Sequence, residues 1–235
     1  MLGLEALKIE QDGFRLEADF QVAQGVRVAV LGPSGAGKST LLSVIAGFLA
    51  PVAGRVTWQG ADLAGLEPGK RPVSIVFQDN NLFPHLTVAQ NVGLGLAPSL
   101  RLGAGDRARV AESLARVGLE RFADRKPGAL SGGQQSRVAL ARVLLRARPV
   151  LLLDEPFAAL GPGLRAEMLD LVHEVAAETG ATLLMVTHDP ADARRLGGDT
   201  VLVADGVTHP PVETGALLAD PPVALREYLG GAGGA

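Results

Sequence analysis

The chain has 235 residues, of which 47% are hydrophobic, so it can bury the core of one large domain or two small ones. Its formal charge of −3 and its lack of a basic tail argue against nucleic acid as the main partner, and the absence of cysteine excludes disulfides and thiolate metal sites. The first ten residues lack a signal-peptide pattern and no apolar run approaches the ~20 residues that span a bilayer, so we expect any membrane role to depend on a partner.

The first predicted elements are strands. Residues 4–22 alternate loosely between apolar and polar side chains, as one or two antiparallel strands do, and residues 26–31 are consistent with a further strand. A helical pattern follows over residues 40–49. The chain therefore begins with strands and reaches its first helix through a short glycine-rich segment.

That segment matches G-x-x-x-x-G-K-S, the Walker A phosphate loop: Gly32-Pro33-Ser34-Gly35-Ala36-Gly37-Lys38-Ser39-Thr40. Its glycines let backbone N–H groups approach phosphate oxygens, and the N-terminus of the following helix favours anions. Lys38 can reach the β- and γ-phosphates, and Ser39 offers an oxygen to Mg²⁺. The alternative is a glycine-rich turn with a chance lysine, which the flanking strand and helix disfavour.

Two more strands are predicted over residues 54–59 and 73–77, and Gln78 follows the second. Residues 85–147 lack strand patterns and are rich in alanine, leucine and arginine, which indicates a mainly helical subdomain inserted into an α/β core. Within it, the stretch Leu130-Ser131-Gly132-Gly133-Gln134 precedes a strong helix for which Ser131 is a good N-cap. The N-terminus of such a helix is an anion site, although a plain capped helix would look the same.

The C-terminal part returns to an α/β pattern. The apolar residues 150–153 end in Asp154 and Glu155, the Walker B pattern, in which the aspartate can hold Mg²⁺ and the glutamate can polarise a water molecule. A strand followed by a solvated acidic turn is the alternative. An amphipathic helix is predicted over 164–179.

Two further buried strands are predicted over residues 182–186 and 200–204, and His188 lies just beyond the first. Strands that alternate with helices predict a parallel sheet in an α/β fold. Residues 230–235 are rich in glycine and alanine and are expected to form a flexible tail.

Taken together and in this order, the motifs resemble those of the ATP-binding-cassette (ABC) ATPases. The stretch Leu130–Gln134, with residues 137–142 after it, resembles the family's signature motif, and it is the most diagnostic piece. Gln78 corresponds to the Q-loop glutamine and His188 to the switch histidine. The resemblance covers essentially the whole chain.

The resemblance implies one ABC ATPase domain over residues 1–235. Its P-loop NTPase core, a parallel sheet with flanking helices, would occupy about 1–80 and 150–229, with an antiparallel β subdomain and a helical subdomain at about 81–149. ATP and Mg²⁺ are the implied cofactors. Catalytic roles would fall to Glu155, His188, Lys38 and Gln78, and metal-binding roles to Ser39, Asp154 and Gln78.

The implied assembly is a head-to-tail homodimer that sandwiches two ATP molecules. In it, Ser131, Gly132, Gly133 and Gln134 of one subunit would act on the ATP bound by the other. Two departures from the family stand out. The D-loop reads Ala158-Ala159-Leu160-Gly161 where the family has S-A-L-D, and Gln11 stands where an adenine-stacking aromatic is expected, with Phe14 nearby.

The resemblance favours the ATPase subunit of a transporter. ABC ATPases that act on ribosomes or DNA generally carry two cassettes, long insertions or basic linkers, none of which is visible here, and a P-loop kinase or GTPase would lack the stretch Leu130–Gln134. A separate subunit without membrane spans favours an importer, in which a permease and a periplasmic or extracytoplasmic solute-binding protein would be the partners, at the cytoplasmic face of the inner membrane of a bacterium. Residues 79–96 resemble the ATPase subunits of thiamine importers; iron, sulfate and polyamine importers are the alternatives.

Overall fold

The computed structural model describes residues 1–11 and 13–231, and its centre is a five-stranded parallel sheet. The strand order is β6-β7-β8-β3-β9. Each neighbouring pair in that order is parallel. The bounds are β3 (Arg27–Leu31), β6 (Val73–Val76), β7 (Val150–Asp154), β8 (Thr182–Val186) and β9 (Asp199–Ala204). Because helices cover both faces, β7 and β8 are buried along their whole length, which explains their uninterrupted apolar sequences.

An antiparallel layer extends this sheet. Its main strands are β1 (Leu2–Gln11), β2 (Phe14–Val22) and β4 (Ala53–Trp58), with β1 between the other two. The short strand β10 (Val207–Thr208) joins the layers, since it pairs with β9 and with β2. Two further short strands, β5 (Ala61–Asp62) and β11 (Val212–Glu213), pair with β4 and β9.

Helices complete the layers. Their bounds are α1 (Lys38–Ala46), α2 (Val88–Gly93), α3 (Ala104–Arg116), α4 (Gly132–Arg146), α5 (Pro162–Thr179), α6 (Pro190–Leu196), α7 (Thr214–Ala219) and α8 (Val223–Gly231). Single 3₁₀ turns lie at Pro68–Lys70, Glu120–Phe122 and Pro127–Ala129.

Three main apolar cores position the elements. The first packs α1 and the antiparallel layer against one face of the parallel sheet, and the second packs α4, α5 and α6 against the other. The third lies among α2, α3 and α4. Helix α4 therefore contributes to two cores, with Leu140 on the sheet and Val138 among the helices. It joins the helical region to the parallel sheet.

The predicted α/β architecture, with its antiparallel β and helical parts, is confirmed. The first helix differs in position from the predicted 40–49: it begins at Lys38 and ends at Ala46, because Gly37 and Gly47 adopt left-handed conformations at its two caps. Gly230 and Gly231 of the predicted tail belong to α8, and residues 232–235 lie outside the described residues. Within residues 1–11 and 13–231, no helix has the length and apolar character needed to cross a bilayer.

Candidate nucleotide site

The predicted phosphate loop joins the end of β3 to the start of α1. Two of its glycines are required by close contacts. Gly32 has φ +153°, and a Cβ there would lie 2.1 Å from the carbonyl oxygen of Val203; Gly37 has φ +94°, and its Cβ would lie 2.2 Å from the ring of Phe14. The loop is thus held tightly against β9 and β2, with the N-terminus of α1 at its end.

Lys38 is the first residue of α1, and its side chain folds back across the loop. Its Nζ donates hydrogen bonds to the carbonyl oxygens of Gly32 at 2.7 Å and of Pro33 at 2.8 Å. Burial lowers the pKa of Lys38, and the carboxylates of Glu155 and Asp154 oppose that shift. The ammonium group is therefore fixed at the loop and lies within the field of both acidic residues.

Ser39 and Asp154 come together from separate motifs. The Ser39 hydroxyl donates a hydrogen bond to Oδ1 of Asp154 at 2.9 Å. Burial raises the pKa of Asp154, and Glu155 adds to that rise, whereas the hydrogen bond from Ser39 and the charge of Lys38 lower it. Two hard oxygen ligands thus lie side by side at the carboxyl end of β7, in a position where a cation would relieve the buried negative charge.

Glu155 and His188 also meet. His188 Nδ1 lies 3.2 Å from Oε2 of Glu155, with the carboxylate as the acceptor. Glu155 has φ +43°, a left-handed conformation that is uncommon outside glycine and asparagine, and its N–H donates to the carbonyl of Val186. Glu155 thus joins β7 to the following turn and faces His188.

Sequence reasoning missed the residues that hold the His188 loop. The Thr187 hydroxyl donates to Oδ2 of Asp192 at 2.6 Å, and Arg165 of α5 pairs with the same carboxylate. The Asp189 side chain caps α6, which has Pro190 in its first turn. An aspartate followed by proline is a helix-start signal and could have predicted α6, but the pairing with Arg165 depends on tertiary packing.

Gln78 lies beyond β6 and is exposed. It lines an open cleft of about 590 Å³ together with Phe77, Asp79, Asn81 and Asp154. The structure therefore brings Gln78 to the same side of the sheet as the Walker B aspartate, without a direct hydrogen bond between them among the described residues.

The stretch from Ser131 to Gln134 forms the capped start of α4. The Ser131 side chain accepts from the Gln134 N–H, and the Gln134 side chain accepts from the Ser131 N–H, so the two residues form a capping box. Ser131 and Gly132 are exposed. This helix end belongs to the helical region, whereas the phosphate loop lies on the parallel sheet.

Gly133 connects this helix end to the D-loop. A Cβ at Gly133 would lie 2.9 Å from Leu160 and 2.8 Å from Leu164. Gly161, the departure from the family pattern, is the N-cap of α5 with φ −65° and ψ 157°, and no atom lies within 4 Å of the Cβ position there. Any residue can adopt this conformation, so the missing aspartate is not a consequence of backbone geometry.

The two residues considered for adenine stacking, Phe14 and Gln11, lie in different environments. The ring of Phe14 packs on the backbone of Gly37 and is half-buried against the first core. Gln11 is exposed at the end of β1. Phe14 thus supports the phosphate loop, and an exposed aromatic ring is missing at position 11.

Comparison with known proteins agrees with this arrangement. Residues 16–158 match the family model described as ABC transporter. The chain is 66% identical over 230 residues to the thiamine import ATP-binding protein ThiQ of Cereibacter sphaeroides, covering 98% of this chain and 100% of the relative. It is 58% identical over 230 residues to the ThiQ protein of Ruegeria sp., with the same coverage of both.

The solved structures agree as well. A dimeric post-hydrolysis state of the ATP-binding cassette MJ0796, bound to ADP and Pi, superposes with a TM-score of 0.81 at 32% identity, covering 91% of this chain and 99% of the other. A second dimeric structure of MJ0796, described as a bacterial ABC transporter cassette, gives a TM-score of 0.80 with the same identity and coverage.

Proposed function

The chain belongs to the ABC transporter family of ATP-binding proteins, and we propose that it is the ATP-hydrolysing subunit of an importer that carries thiamine. One observation supports thiamine as the transported solute. The chain is 66% identical, over 98% of its length and 100% of the relative's, to a protein named as a thiamine import ATP-binding protein. The proposal that the chain hydrolyses ATP has independent support, because it rests on the phosphate loop and on the acidic residues beside that loop.

The polar groups at the phosphate loop and at the end of β7 are of the kinds that bind ATP and Mg²⁺. The free N–H groups at the start of α1 and the ammonium of Lys38 would hold the phosphates, with the carbonyls of Gly32 and Pro33 exchanged for phosphate oxygens as partners of Lys38. The residues that would hold Mg²⁺ are Ser39 and Asp154, with Gln78 reaching in from its cleft. When bound, the cation would neutralise charge on the phosphates.

Hydrolysis would depend on Glu155 and His188. Glu155 accepts a proton from the attacking water, and His188, within hydrogen-bond distance of that carboxylate, orients it. The network of Thr187, Asp192 and Arg165 fixes the loop that carries His188. Water activation and phosphate binding therefore use neighbouring strand ends of the same sheet.

A complete site would need a second copy of the chain. The N-terminus of α4, from Ser131 to Gln134, with Ser131 and Gly132 exposed, lies on a different part of the fold from the phosphate loop of the same chain and would act on the partner's ATP. The structural neighbours are dimeric cassettes, which supports a homodimer. The contact between Gly133 and Leu160 would let the D-loop follow any movement of α4.

The permease would dock on a groove beside β6, with a cavity volume of about 310 Å³. Phe48 and Phe83, both exposed, line it, and Phe48 packs edge-on against Phe77 at 5.5 Å between ring centroids. Arg142 crosses the groove and donates to the carbonyls of Asn80 and Asn81. An apolar groove with polar residues around it, next to Gln78, suits a short helix from a membrane subunit.

Reconstitution tests this proposal. The chain, reconstituted in membranes with a thiamine permease and its binding protein, should hydrolyse ATP at the cytoplasmic face and take up labelled thiamine. Uptake of iron, sulfate or a polyamine instead would leave the importer assignment standing and overturn the cargo. ATP hydrolysis that no permease stimulates would favour an ABC ATPase outside transport.

A further inference from the structure

The sequence contains a single tyrosine, Tyr228, and its hydroxyl group contacts the switch-histidine loop. The hydroxyl donates a hydrogen bond of 2.6 Å to the backbone carbonyl oxygen of His188, 40 residues earlier in the chain. This contact comes from the last helix, an element that none of the nucleotide-binding motifs includes. It links the C-terminal part of the fold directly to a residue of the proposed catalytic site.

Helix α8 is anchored so that Tyr228 reaches this position. Leu225 is fully buried in a small core that also contains Leu202 of β9 and Leu217 of α7. Tyr228 and Leu229 pack partly against the same core. Because β9 lies beside the strand that leads into the phosphate loop, the helix is fixed to the central sheet and presents the phenol group to the loop after β8.

The segment around His188 is held on each side by hydrogen bonds. Before it, the Thr187 N–H donates to the carbonyl of Val30 and its hydroxyl donates to Asp192. After it, the Asp189 N–H donates to the Thr187 hydroxyl, and the Asp189 carboxylate caps α6. The peptide between residues 188 and 189 is therefore held at both ends, with its N–H on the Thr187 hydroxyl and its carbonyl on the hydroxyl of Tyr228.

We propose that Tyr228 is a positioning residue for His188: by fixing the carbonyl of this residue, it orients the peptide so that the imidazole ring faces Glu155. This inference rests on the proposed ATPase role of His188. Without the hydrogen bond, the peptide would be held only through the Asp189 N–H, and its carbonyl could tilt. The imidazole ring of His188, which is half-exposed, would then sample positions away from the carboxylate. The loss would affect the chemical step rather than ATP binding.

The electrostatic environment agrees with this role. The pKa of Tyr228 is raised by burial and further by the negative charges of Glu155 and Asp189. The phenol therefore stays neutral and keeps its proton for donation at physiological pH.

The test compares two single substitutions in the full chain, reconstituted with its permease. Tyr228→Phe removes the hydroxyl and keeps the ring. Thr214→Val is the matched control, because the Thr214 hydroxyl donates to the carbonyl of Gly198 at 2.8 Å in the same C-terminal layer. We expect Tyr228→Phe to lower kcat about fivefold with an unchanged KM for ATP, the factor that one neutral hydrogen bond represents. Thr214→Val should change the melting temperature and leave kcat as it is.

A second measurement does not depend on activity. The chain has four histidines, so the ring resonances of His188 can be followed by NMR against those of His85 and His209. Tyr228→Phe should shift the His188 resonances only. An unaltered kcat, an equal loss in both variants, a raised KM alone, unmoved His188 resonances or a failure to fold would overturn the positioning role. A wild-type chain without ATPase activity would instead refute the proposed function, while the NMR comparison would still report on the Tyr228–His188 link.

Discussion

The carboxylate of Glu155 and the imidazole of His188 lie 3.2 Å apart, although 33 residues separate them in the sequence. The two residues follow adjacent parallel strands, β7 and β8, so the carboxyl edge of the sheet brings them together. Glu155 keeps its left-handed backbone because its N–H is tied to Val186 on the neighbouring strand. The orientation of the Glu155 carboxylate is therefore set by the backbone hydrogen bond to β8 and by the contact with His188.

We expect Glu155→Gln to reduce ATP turnover by ~10²–10⁴-fold, the usual contribution of a positioned general base. The amide keeps the size and the hydrogen-bonding ability of the side chain but has no basicity, so ATP should bind and hold the dimer closed. Turnover with the permease present and ATP binding by equilibrium titration are the two measurements. Near-normal hydrolysis in this variant would refute the assignment of Glu155.

Ser39→Ala should uncouple ATP binding from Mg²⁺. The hydroxyl that contacts Asp154 is the proposed metal ligand from α1, and its loss should weaken the Mg²⁺-dependent part of ATP affinity at least ~10-fold, as the loss of a supporting group at a metal site does. The measurement is ATP affinity with Mg²⁺ and with EDTA.

Ser43→Ala is the matched control for that experiment. Ser43 lies one turn further along α1, and its hydroxyl donates to the backbone carbonyl of Ser39 at 2.9 Å rather than to an acidic side chain. Its removal should leave the effect of Mg²⁺ intact. Equal behaviour of the two variants would contradict a metal role for Ser39.

Local patterns were sufficient to predict much of this fold. The apolar runs of β7 and β8 and the glycine spacing of the phosphate loop are properties of a few consecutive residues, so the sequence alone indicates them. Short elements such as β10 and β11 have too few residues for a period, and they form because β9 offers them a pairing edge. They were not predicted.

Contacts between distant segments were also beyond sequence reasoning. The buried Arg71 satisfies the last carbonyls of α1 by donating to those of Val44 and Ile45, and nothing in its neighbourhood in the sequence predicts that role. The hydrogen bond from Tyr228 to His188 is of the same kind. Such contacts depend on where packing places a helix, which is decided by the whole core.

Gly161→Asp should tighten the ATP-bound dimer. The backbone at this N-cap is compatible with any residue, and the site is open, so the substitution adds no strain. Aspartate would restore the residue of the family's D-loop pattern, which we expect to contact the second subunit of the dimer. It would also cap α5, which lacks a side-chain cap, for a gain of a few tenths of a kcal/mol. Dimerisation with ATP, measured on the Glu155→Gln background by light scattering, is the readout.

Gly161→Asn separates the two effects, since asparagine caps a helix about as well but carries no charge. It should raise the melting temperature like aspartate and strengthen the dimer less. The unmodified chain should dimerise weakly and have low basal ATPase activity without the permease. Tight ATP-dependent dimers of the unmodified chain would contradict the prediction that Gly161 weakens the dimer.

The backbone of Phe83 is fixed by a buried side chain, whereas its own side chain faces solvent. The buried Asn91 accepts from the N–H of Phe83 at 2.8 Å and donates to its carbonyl at 3.1 Å. The neighbouring Leu82 packs against the second and third cores, whereas the ring of Phe83 is 44% exposed. The apolar residues of this stretch therefore divide in two: Leu82 packs in the core, and Phe83 remains available for docking.

Phe83→Asp should abolish permease-stimulated hydrolysis and transport, because a carboxylate in the apolar groove would have to be desolvated when the permease docks. ATP affinity and the melting temperature should stay close to those of the unmodified chain, since the ring contributes little to the core. Val212→Asp is the control: its side chain is 42% exposed on β11, outside the groove, and the change should leave stimulation intact. A large drop in melting temperature for Phe83→Asp would support a packing role, and normal stimulation would exclude this surface as the docking site.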